Sequence, residues 1–178
     1  MTAFRSQLLG GYAVALAGRS AAVADALARL GARVQRVGEL PADEDRLGEW
    51  ARPHGFQAVV FDAAEAFGEG GRDGLRAATE RAWAAVREVA TGALIPGESG
   101  GKVVLIAPRP DAGPFAEAAR SALENLARTL SIEWARHRVT ATMIAPGPRT
   151  IDAQLSELVC YLISPGGDYF SGCRFSLG

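Results

Sequence analysis

Reactive and metal-binding side chains are scarce in this sequence of 178 residues. It contains two cysteines, Cys160 and Cys173, and two histidines, His54 and His137, which lie far apart along the chain. Neither cysteine belongs to a Cys-x-x-Cys spacing, and two thiols do not make the disulfide framework of a small secreted domain. We therefore predict no metal site, and we interpret the cysteines as small core residues and the histidines as surface residues.

The sequence also lacks an excess of one charge and any long hydrophobic run. It has 19 basic and 20 acidic residues, and every basic residue except Lys102 is an arginine. This balance gives no electrostatic reason to expect nucleic acid or an anionic membrane as a partner. No apolar run reaches the roughly 18 residues of a membrane helix, and residues 1–11 lack a signal-peptide core. We expect a soluble, cytoplasmic protein.

Apolar runs typical of strands alternate along the chain with segments of helical periodicity. Strands are predicted at 12–18, 33–37, 56–64, 101–108, 138–146 and 172–178, and helices at 20–32, 42–52, 74–94, 114–137 and 151–164. Helices that connect successive strands indicate parallel pairing, with helices on both faces of the sheet. The sequence thus predicts a single doubly wound α/β domain over residues 1–178, with six mostly parallel strands.

Two glycine-rich stretches match functional motifs in spacing only. "GESGG" (97–101) has the nucleophile-elbow pattern around Ser99, and Asp111 and His137 follow in triad order. A nucleophile elbow follows a strand and precedes a helix, however, whereas this stretch precedes a strand. "GEGGRDG" (68–74) follows the third strand and lacks the lysine of a phosphate-binding Walker motif. We interpret both stretches as connecting loops.

Three stretches carry a resemblance to a known family: "AVALAGRSAAVADALARLGARV", "SALENLARTLSIEWARHRVTATMIAPG" and "YLISPGGDYFSGCRFSLG". They resemble the short-chain dehydrogenases/reductases, in particular the 3-oxoacyl-carrier-protein reductase and 3-hydroxyacyl-CoA dehydrogenase type. The resemblance implies a three-layer, Rossmann-like sandwich. It also implies a truncation, because the family's third strand and its helix have no counterpart between Val37 and Phe56.

The catalytic side chains of the resembled family have no counterpart in this sequence. The family uses a tyrosine as proton donor or acceptor, together with a lysine four residues later, and the resemblance places these roles on Ala116 and Arg120. The family's serine, which follows the preceding strand, corresponds to Pro108. Glu98 stands four residues before Lys102, so the Tyr-x-x-x-Lys pattern occurs nowhere in the chain. The resemblance therefore implies no catalytic residue here.

The predicted turn between the first strand and the first helix differs from a dinucleotide-binding turn. Such a turn needs several glycines, so that the backbone can approach a pyrophosphate at the helix N-terminus. Here it consists of Gly18, Arg19 and Ser20, with one glycine. Arg36 stands where an arginine can accept a 2′-phosphate, but without the glycines we interpret it as a solvated side chain. The family's substrate-covering segment is reduced to residues 148–151. We expect no cofactor on this chain.

The segments that the resembled family uses for assembly are retained. In that family the two long helices, here 74–94 and 114–137, pack against the same pair from a neighbouring subunit, and the last helix and strand form a second contact. The face of helix 114–137 expected to point outward is small and partly polar: Ala118, Ala122, Asn125, Thr129 and Ile132. Small side chains allow close helix approach.

These observations predict a pseudoenzyme of an oxidoreductase complex. It would associate with an active, homologous short-chain dehydrogenase/reductase through the two long helices and the C-terminal strand, as a homo- or hetero-oligomer such as a heterotetramer. NAD(P) would then be bound by the active partner, which would reduce or oxidise acyl or polyketide thioesters. Two alternatives remain: an NAD(P)-dependent oxidoreductase with an atypical site, and a nucleotide- or small-molecule-binding regulator that uses the sheet edge near Gly18, Asp62 and Pro108. Arg120 would make a structural ion pair or hold an anion.

Overall fold

The computed structural model describes residues 5–38, 46–97 and 99–178. In this part of the chain six strands form one sheet, in the order β2-β1-β3-β4-β5-β6, and every neighbouring pair is parallel. The strands are β1 (Ala13–Ala17), β2 (Arg33–Arg36), β3 (Ala58–Asp62), β4 (Gly101–Ile106), β5 (Val139–Ala145) and β6 (Cys173–Ser176). The predicted doubly wound, parallel sheet is confirmed.

Helices cover both faces of the sheet, as the sequence pattern predicts. They are α1 (Ala21–Arg29), α2 (Ala63–Phe67), α3 (Gly71–Val89), α4 (Ala116–Glu133) and α5 (Asp152–Ile163). α1 and α5 pack together on one face, whereas α3 and α4 pack side by side on the other. Side chains of β1, β3 and β4 are buried on both faces, which explains why these strands read as continuous apolar runs.

The helix boundaries follow local signals in the sequence. Ser20 caps α1, because its Oγ accepts a hydrogen bond from the backbone N–H of Val23 at 3.3 Å. The predicted helix 74–94 begins earlier, at Gly71, and its last five residues form a π-helical turn, Ala90–Leu94. The predicted helix 114–137 is the α-helix α4, followed by a 3₁₀ turn over Ala135–His137.

The predicted helix at 42–52 is wrong where the structure describes it. Residues 42–45 lie outside the described residues, and the described residues 46–52 form turns that lead into a 3₁₀ turn at Arg52–His54. The reason is Glu88 on α3, whose buried carboxylate accepts hydrogen bonds from the backbone N–H groups of Gly48, Trp50 and Ala51. These backbone groups bond to a distant side chain instead of to a helix.

The predicted strand 56–64 also differs at its end. β3 stops at Asp62, and the next residues form the short helix α2, which the sequence pattern does not reveal. The Asp62 carboxylate accepts a hydrogen bond from the N–H of Ala64 at 3.0 Å and so caps α2. None of the helices in the described residues is long and apolar enough to cross a membrane.

Candidate functional site at the carboxyl edge of the sheet

The carboxyl ends of β1 and β3 meet where the chain order of the sheet reverses, which is where open α/β sheets bind ligands. Gly18 follows β1 and packs directly on Asp62 at the end of β3. A Cβ atom on Gly18 would lie 2.8 Å from the carbonyl oxygen of Asp62, and the φ angle of Gly18 is +105°. Glycine is therefore required here to pack against β3, independently of any phosphate.

The three residues of the β1–α1 turn are bound by other parts of the chain. Nη1 of Arg36 donates a hydrogen bond to the carbonyl oxygen of Gly18 at 2.6 Å. Nε of Arg19 lies 2.7 Å from Oε1 of Glu65 in an exposed ion pair. Arg36 is exposed, as the sequence interpretation has it, but it is attached to the turn. The Oγ of Ser20 is used by the α1 cap, so each residue of the turn already has an internal partner.

Two cavities adjoin this point. The larger one, here called the arginine-lined cleft, has a volume of about 790 Å³ at the ends of β1, β2 and β3. Its charged lining residues are Arg19, Arg36, Arg81, Asp62 and Glu65. The smaller one, the central cavity, has a volume of about 360 Å³ and lies between the N-termini of α1 and α5. Its polar lining includes Ser20, Asp62, Arg109 and Asp152.

Asp62 lines both cavities and is half-buried. Burial raises the pKa of its carboxyl above the ordinary value, and the charges of Glu65 and Asp152 raise it further, against the opposing hydrogen bond from Ala64. A carboxylate with such surroundings in a cleft is a candidate functional group. The sequence interpretation placed Asp62 at this edge, but Asp152 and Glu65 were missed because they lie on other elements.

The structure brings Arg120 and Pro108 together at the carboxyl ends of β4 and β5. Arg120 is 5% exposed, and its Nη1 donates hydrogen bonds to the carbonyl oxygens of Pro108 at 2.7 Å and Pro146 at 2.8 Å. Its Nε lies 3.1 Å from Oε1 of Glu117, within ion-pair distance but without hydrogen-bond geometry. Burial lowers the pKa of the guanidinium. Arg120 thus ties the ends of β4 and β5 together.

Ala116 lies one turn before Arg120 on α4 and is 3% exposed. It belongs to the same buried apolar cluster as Phe67 of α2, which is 2% exposed. The preceding residue, Phe115, has a left-handed φ of +68° and begins α4 without a side-chain cap. At the start of this helix the chain therefore buries a methyl group in its core.

Arg109 was not identified from the sequence, because nothing in its loop context distinguishes it. Its Nη1 donates to the carbonyl oxygens of Gly147 and Pro148, at 2.9 and 3.2 Å, and its Nη2 donates to that of Thr150 at 2.5 Å. Oγ1 of Thr150 also accepts a hydrogen bond from the N–H of Gly147. These contacts hold the short turn between β5 and α5, where the resembled family has a long segment.

The other sequence candidates do not assemble into a site. Ser99 precedes β4, whereas Asp111 follows it at the opposite edge of the sheet, so the formal triad with His137 is not formed. The stretch 68–74 is a loop only until Gly71, where α3 begins. Among the described residues there is no group of three or more His, Cys, Asp or Glu that could hold a metal ion.

Neither cysteine lines the arginine-lined cleft or the central cavity. Cys160 is buried on α5, and burial raises the pKa of its thiol to about 11, which makes it unreactive at neutral pH. Cys173 is half-buried on β6. Their positions agree with the interpretation of small residues that fill space in or near the core.

No protein-family model matches the sequence, and no curated protein matches it. Solved structures match it over nearly the full chain. The citronellol catabolism dehydrogenase AtuB of Pseudomonas aeruginosa PAO1 has a TM-score of 0.75 at 21% identity, covering 99% of this chain and 97% of that one. A short-chain dehydrogenase/reductase from Serratia marcescens BCRC 10948 has a TM-score of 0.72 at 22% identity, with coverages of 95% and 96%.

A putative NAD(P)-dependent gluconate 5-dehydrogenase from Beutenbergia cavernae has a TM-score of 0.74 at 19% identity and covers 97% of each chain. These matches show that the chain has the fold of the short-chain dehydrogenases/reductases, an oxidoreductase fold, as the sequence resemblance implied. At such low identity the likeness concerns the fold alone, and the chemistry of the site has to be argued from the residues present.

Proposed function

We propose that this chain is a catalytically inactive subunit with the short-chain dehydrogenase/reductase fold, which associates with an active enzyme of that fold and supports it. The observation that carries the proposal is the burial of Ala116 and Arg120, the two residues to which the resemblance assigns the family's catalytic roles. Arg120 is buried and hydrogen-bonded to Pro108 and Pro146, and Ala116 is buried in the core. A methyl group cannot transfer a proton, and a guanidinium remains protonated in proteins.

The proposed absence of a bound dinucleotide has support in the β1–α1 turn. The turn has one glycine, Gly18, and that glycine is packed on Asp62. The residues present therefore do not fit the backbone cradle in which dinucleotide folds hold a pyrophosphate. In the complex we propose, NAD(P) is bound and used by the partner enzyme.

The surface proposed for the partner is the outer face of α3 and α4. On α4 it includes Ala118, Ala122, Asn125, Thr129 and Ile132, the set expected to point outward. Ile132 is 76% exposed, and Trp83 on the neighbouring α3 is 41% exposed. Exposed apolar side chains on two adjacent helices favour packing against another pair of helices. The edge strand β6 provides the second proposed contact.

The partner's substrates that we propose are acyl or polyketide thioesters, undergoing ketoreduction or hydroxyacyl oxidation. This part of the proposal rests on the sequence resemblance to 3-oxoacyl-carrier-protein reductases and 3-hydroxyacyl-CoA dehydrogenases. The central cavity of this chain, at about 360 Å³, lies at the lower end of the volumes typical of small-molecule sites, which agrees with a role in which the partner performs the chemistry.

Co-expression with the active short-chain dehydrogenases/reductases of the native host, followed by size-exclusion chromatography and activity measurement, tests the proposal. We expect one reductase to co-elute with the chain and to gain activity or stability. Ala118→Arg, on the outer face of α4, should abolish co-elution because it places a long charged side chain in the contact. Ala28→Arg, at an exposed site on α1 on the opposite face of the sheet, is the matched control and should have no effect. A lone monomer that changes no reductase's activity would refute the proposal.

A second candidate function is supported by the arginine-lined cleft. Its volume of about 790 Å³ and its three arginines suit a small anionic ligand, so the chain could act as a nucleotide- or small-molecule-binding regulator. Titration with AMP, followed by calorimetry, tests this. Saturable binding that is lost in Arg36→Ala, but kept in Arg33→Ala on the same strand, would favour the regulator. Absence of AMP binding would rule out the regulator and leave the inactive subunit as the remaining proposal.

A further inference from the structure

The central cavity lies in front of the N-terminus of α1, where a Rossmann-like fold offers backbone N–H groups to a phosphate. The lining includes Ala21 and Ala22, the first two residues of that helix. Ser20 caps the N–H of Val23, which removes one donor of the first turn. The glycine cradle is absent, but the N-terminus of α1 and the space in front of it remain. The charge of the lining therefore bears on what the cavity accepts.

That charge is unfavourable to anions. Asp62 enters the cavity from the end of β3, and Asp152 enters it from the first turn of α5. Among the described lining residues the cation is Arg109, whose Nη1 and Nη2 are hydrogen-bonded to carbonyl oxygens of the β5–α5 turn. Arg19 lies close by but is paired with Glu65.

The two aspartates influence each other across the cavity. The charge of Asp152 raises the pKa of Asp62, in addition to the larger effect of burial and the charge of Glu65. A phosphate group in the same space would be repelled in the same way. Like charges a few ångströms apart at a partly desolvated site weaken binding by about tenfold or more.

We infer that Asp62 and Asp152 exclude phosphate groups from the central cavity, so that a dinucleotide cannot bind across the reversal point of the sheet. The inference rests on the proposed absence of a cofactor on this chain, and it names the residues that enforce that absence. The arginine-lined cleft lies on the other side of Asp62 and has the opposite charge. A mononucleotide confined to that cleft is compatible with the inference, whereas a dinucleotide is not.

Calorimetric titration of NADH and NADPH tests the inference without depending on activity. The native chain should show no saturable binding tighter than about 1 mM. The double variant Asp62→Asn/Asp152→Asn should bind at least one dinucleotide tighter by about tenfold or more, and each single variant should give a smaller gain. Asn keeps the size of the side chain and its hydrogen-bond acceptor but removes the charge.

Asp25→Asn is the matched control, because it makes the same charge change on an exposed residue of α1 that does not line the central cavity. Its affinity should equal that of the native chain. Circular dichroism establishes that each variant is folded. If the double variant unfolds, the single variant Asp152→Asn still tests the inference, because it alters only an exposed residue.

Micromolar binding of a dinucleotide by the native chain would overturn the inference, and so would folded variants that gain no affinity. A failure of this inference can be distinguished from a failure of the proposed subunit role. If no reductase associates with the chain while the aspartate variants gain affinity, the proposed subunit role is wrong and the electrostatic exclusion stands.

Discussion

At the scale of single residues, Arg120 shows how a buried guanidinium can hold two strand ends together. The guanidinium has no general-acid function at neutral pH, and its two hydrogen bonds to Pro108 and Pro146 are structural. Of the two roles left open by the sequence, a structural ion pair or an anion holder, the contacts favour a structural role. Its principal partners are carbonyl oxygens, with Glu117 secondary.

Arg120→Leu should lower the free energy of unfolding by about 2 kcal/mol, because it leaves two carbonyl oxygens at the strand ends without their donor. Urea denaturation followed by circular dichroism measures the change. Arg128→Leu, on the same helix but 63% exposed in its side chain, is the control and should cost less than about 0.5 kcal/mol. Equal effects of the two substitutions would contradict the structural role of Arg120.

Asp62 predicts a pH dependence of stability with a definite sign. Its pKa in the folded chain is raised above the ordinary value, so the native state binds the proton more tightly than the unfolded state does. Its contribution is therefore fully stabilising below the unfolded pKa and is lost as the pH rises through the folded pKa.

Asp62→Asn should consequently be more stable than the native chain at pH 7, and this advantage should disappear as the pH falls toward 4 and below. Thermal unfolding at several pH values measures the difference. Asp73→Asn, in the first turn of α3, should give no such gain, because a carboxylate there interacts favourably with the helix dipole. A native chain more stable than Asp62→Asn at pH 7 would show that the capping hydrogen bond outweighs burial and repulsion.

At the scale of elements, the described residues 46–57 between β2 and β3 contain neither a strand nor an α-helix. Glu88 organises residues 48–51 through three backbone N–H groups. Gly48 also packs against Gly92 in the π-helical turn, where a Cβ on Gly92 would overlap the Gly48 carbonyl. A buried carboxylate and a close backbone contact replace the pairing that a strand and helix would provide.

Glu88→Ala should destabilise the chain by about 3 kcal/mol and expose residues 46–52 to proteolysis, because three backbone N–H groups, two of them buried, lose their acceptor. Equilibrium denaturation and limited proteolysis with mass spectrometry measure both effects. Glu80→Ala removes an exposed carboxylate of the same helix, paired with Arg76, and should cost less than about 0.5 kcal/mol. Unchanged proteolysis in Glu88→Ala would show that the segment is held by other contacts.

At the scale of the whole molecule, the C-terminal segment is joined to the sheet at both ends. At the amino edge the buried Lys102 forms an ion pair with Asp168, in the 3₁₀ turn before β6. At the carboxyl edge Thr150 donates a hydrogen bond to the carbonyl oxygen of Gly178. Apolar clusters line both faces of one continuous sheet. The chain should therefore unfold as one cooperative unit.

Differential scanning calorimetry should show one transition with a calorimetric enthalpy equal to the van't Hoff enthalpy. For 178 residues, at about 0.7 kcal/mol per residue near 60 °C, the enthalpy should be about 125 kcal/mol. Two resolved transitions, or a van't Hoff enthalpy well below the calorimetric one, would contradict the prediction of a single domain over residues 1–178.

The sequence by itself determined the fold class and which side chains stand at positions 108, 116 and 120. Alternating apolar runs and helical segments predict a parallel sheet covered on both faces, because strand and helix periodicities are local properties. Likewise, no folding of the chain can place a hydroxyl at Ala116 or Pro108, since side-chain chemistry is covalent. The prediction of a helix at 42–52 failed because an acceptor from another element, Glu88 on α3, binds the backbone of residues 48–51. The short helix α2 was missed although its cap, Asp62, is local.

Only the tertiary structure decided which polar groups meet. Arg120 and Arg109 donate to carbonyl oxygens at the sheet edge, Glu88 accepts from residues about 40 positions away, and Asp62 faces Asp152 from another element. Such contacts leave no periodic trace in the sequence, because they depend on strand ends that converge only when the sheet forms. That convergence, and the charge it concentrates in the central cavity, is the physical basis of the proposed exclusion of phosphate groups.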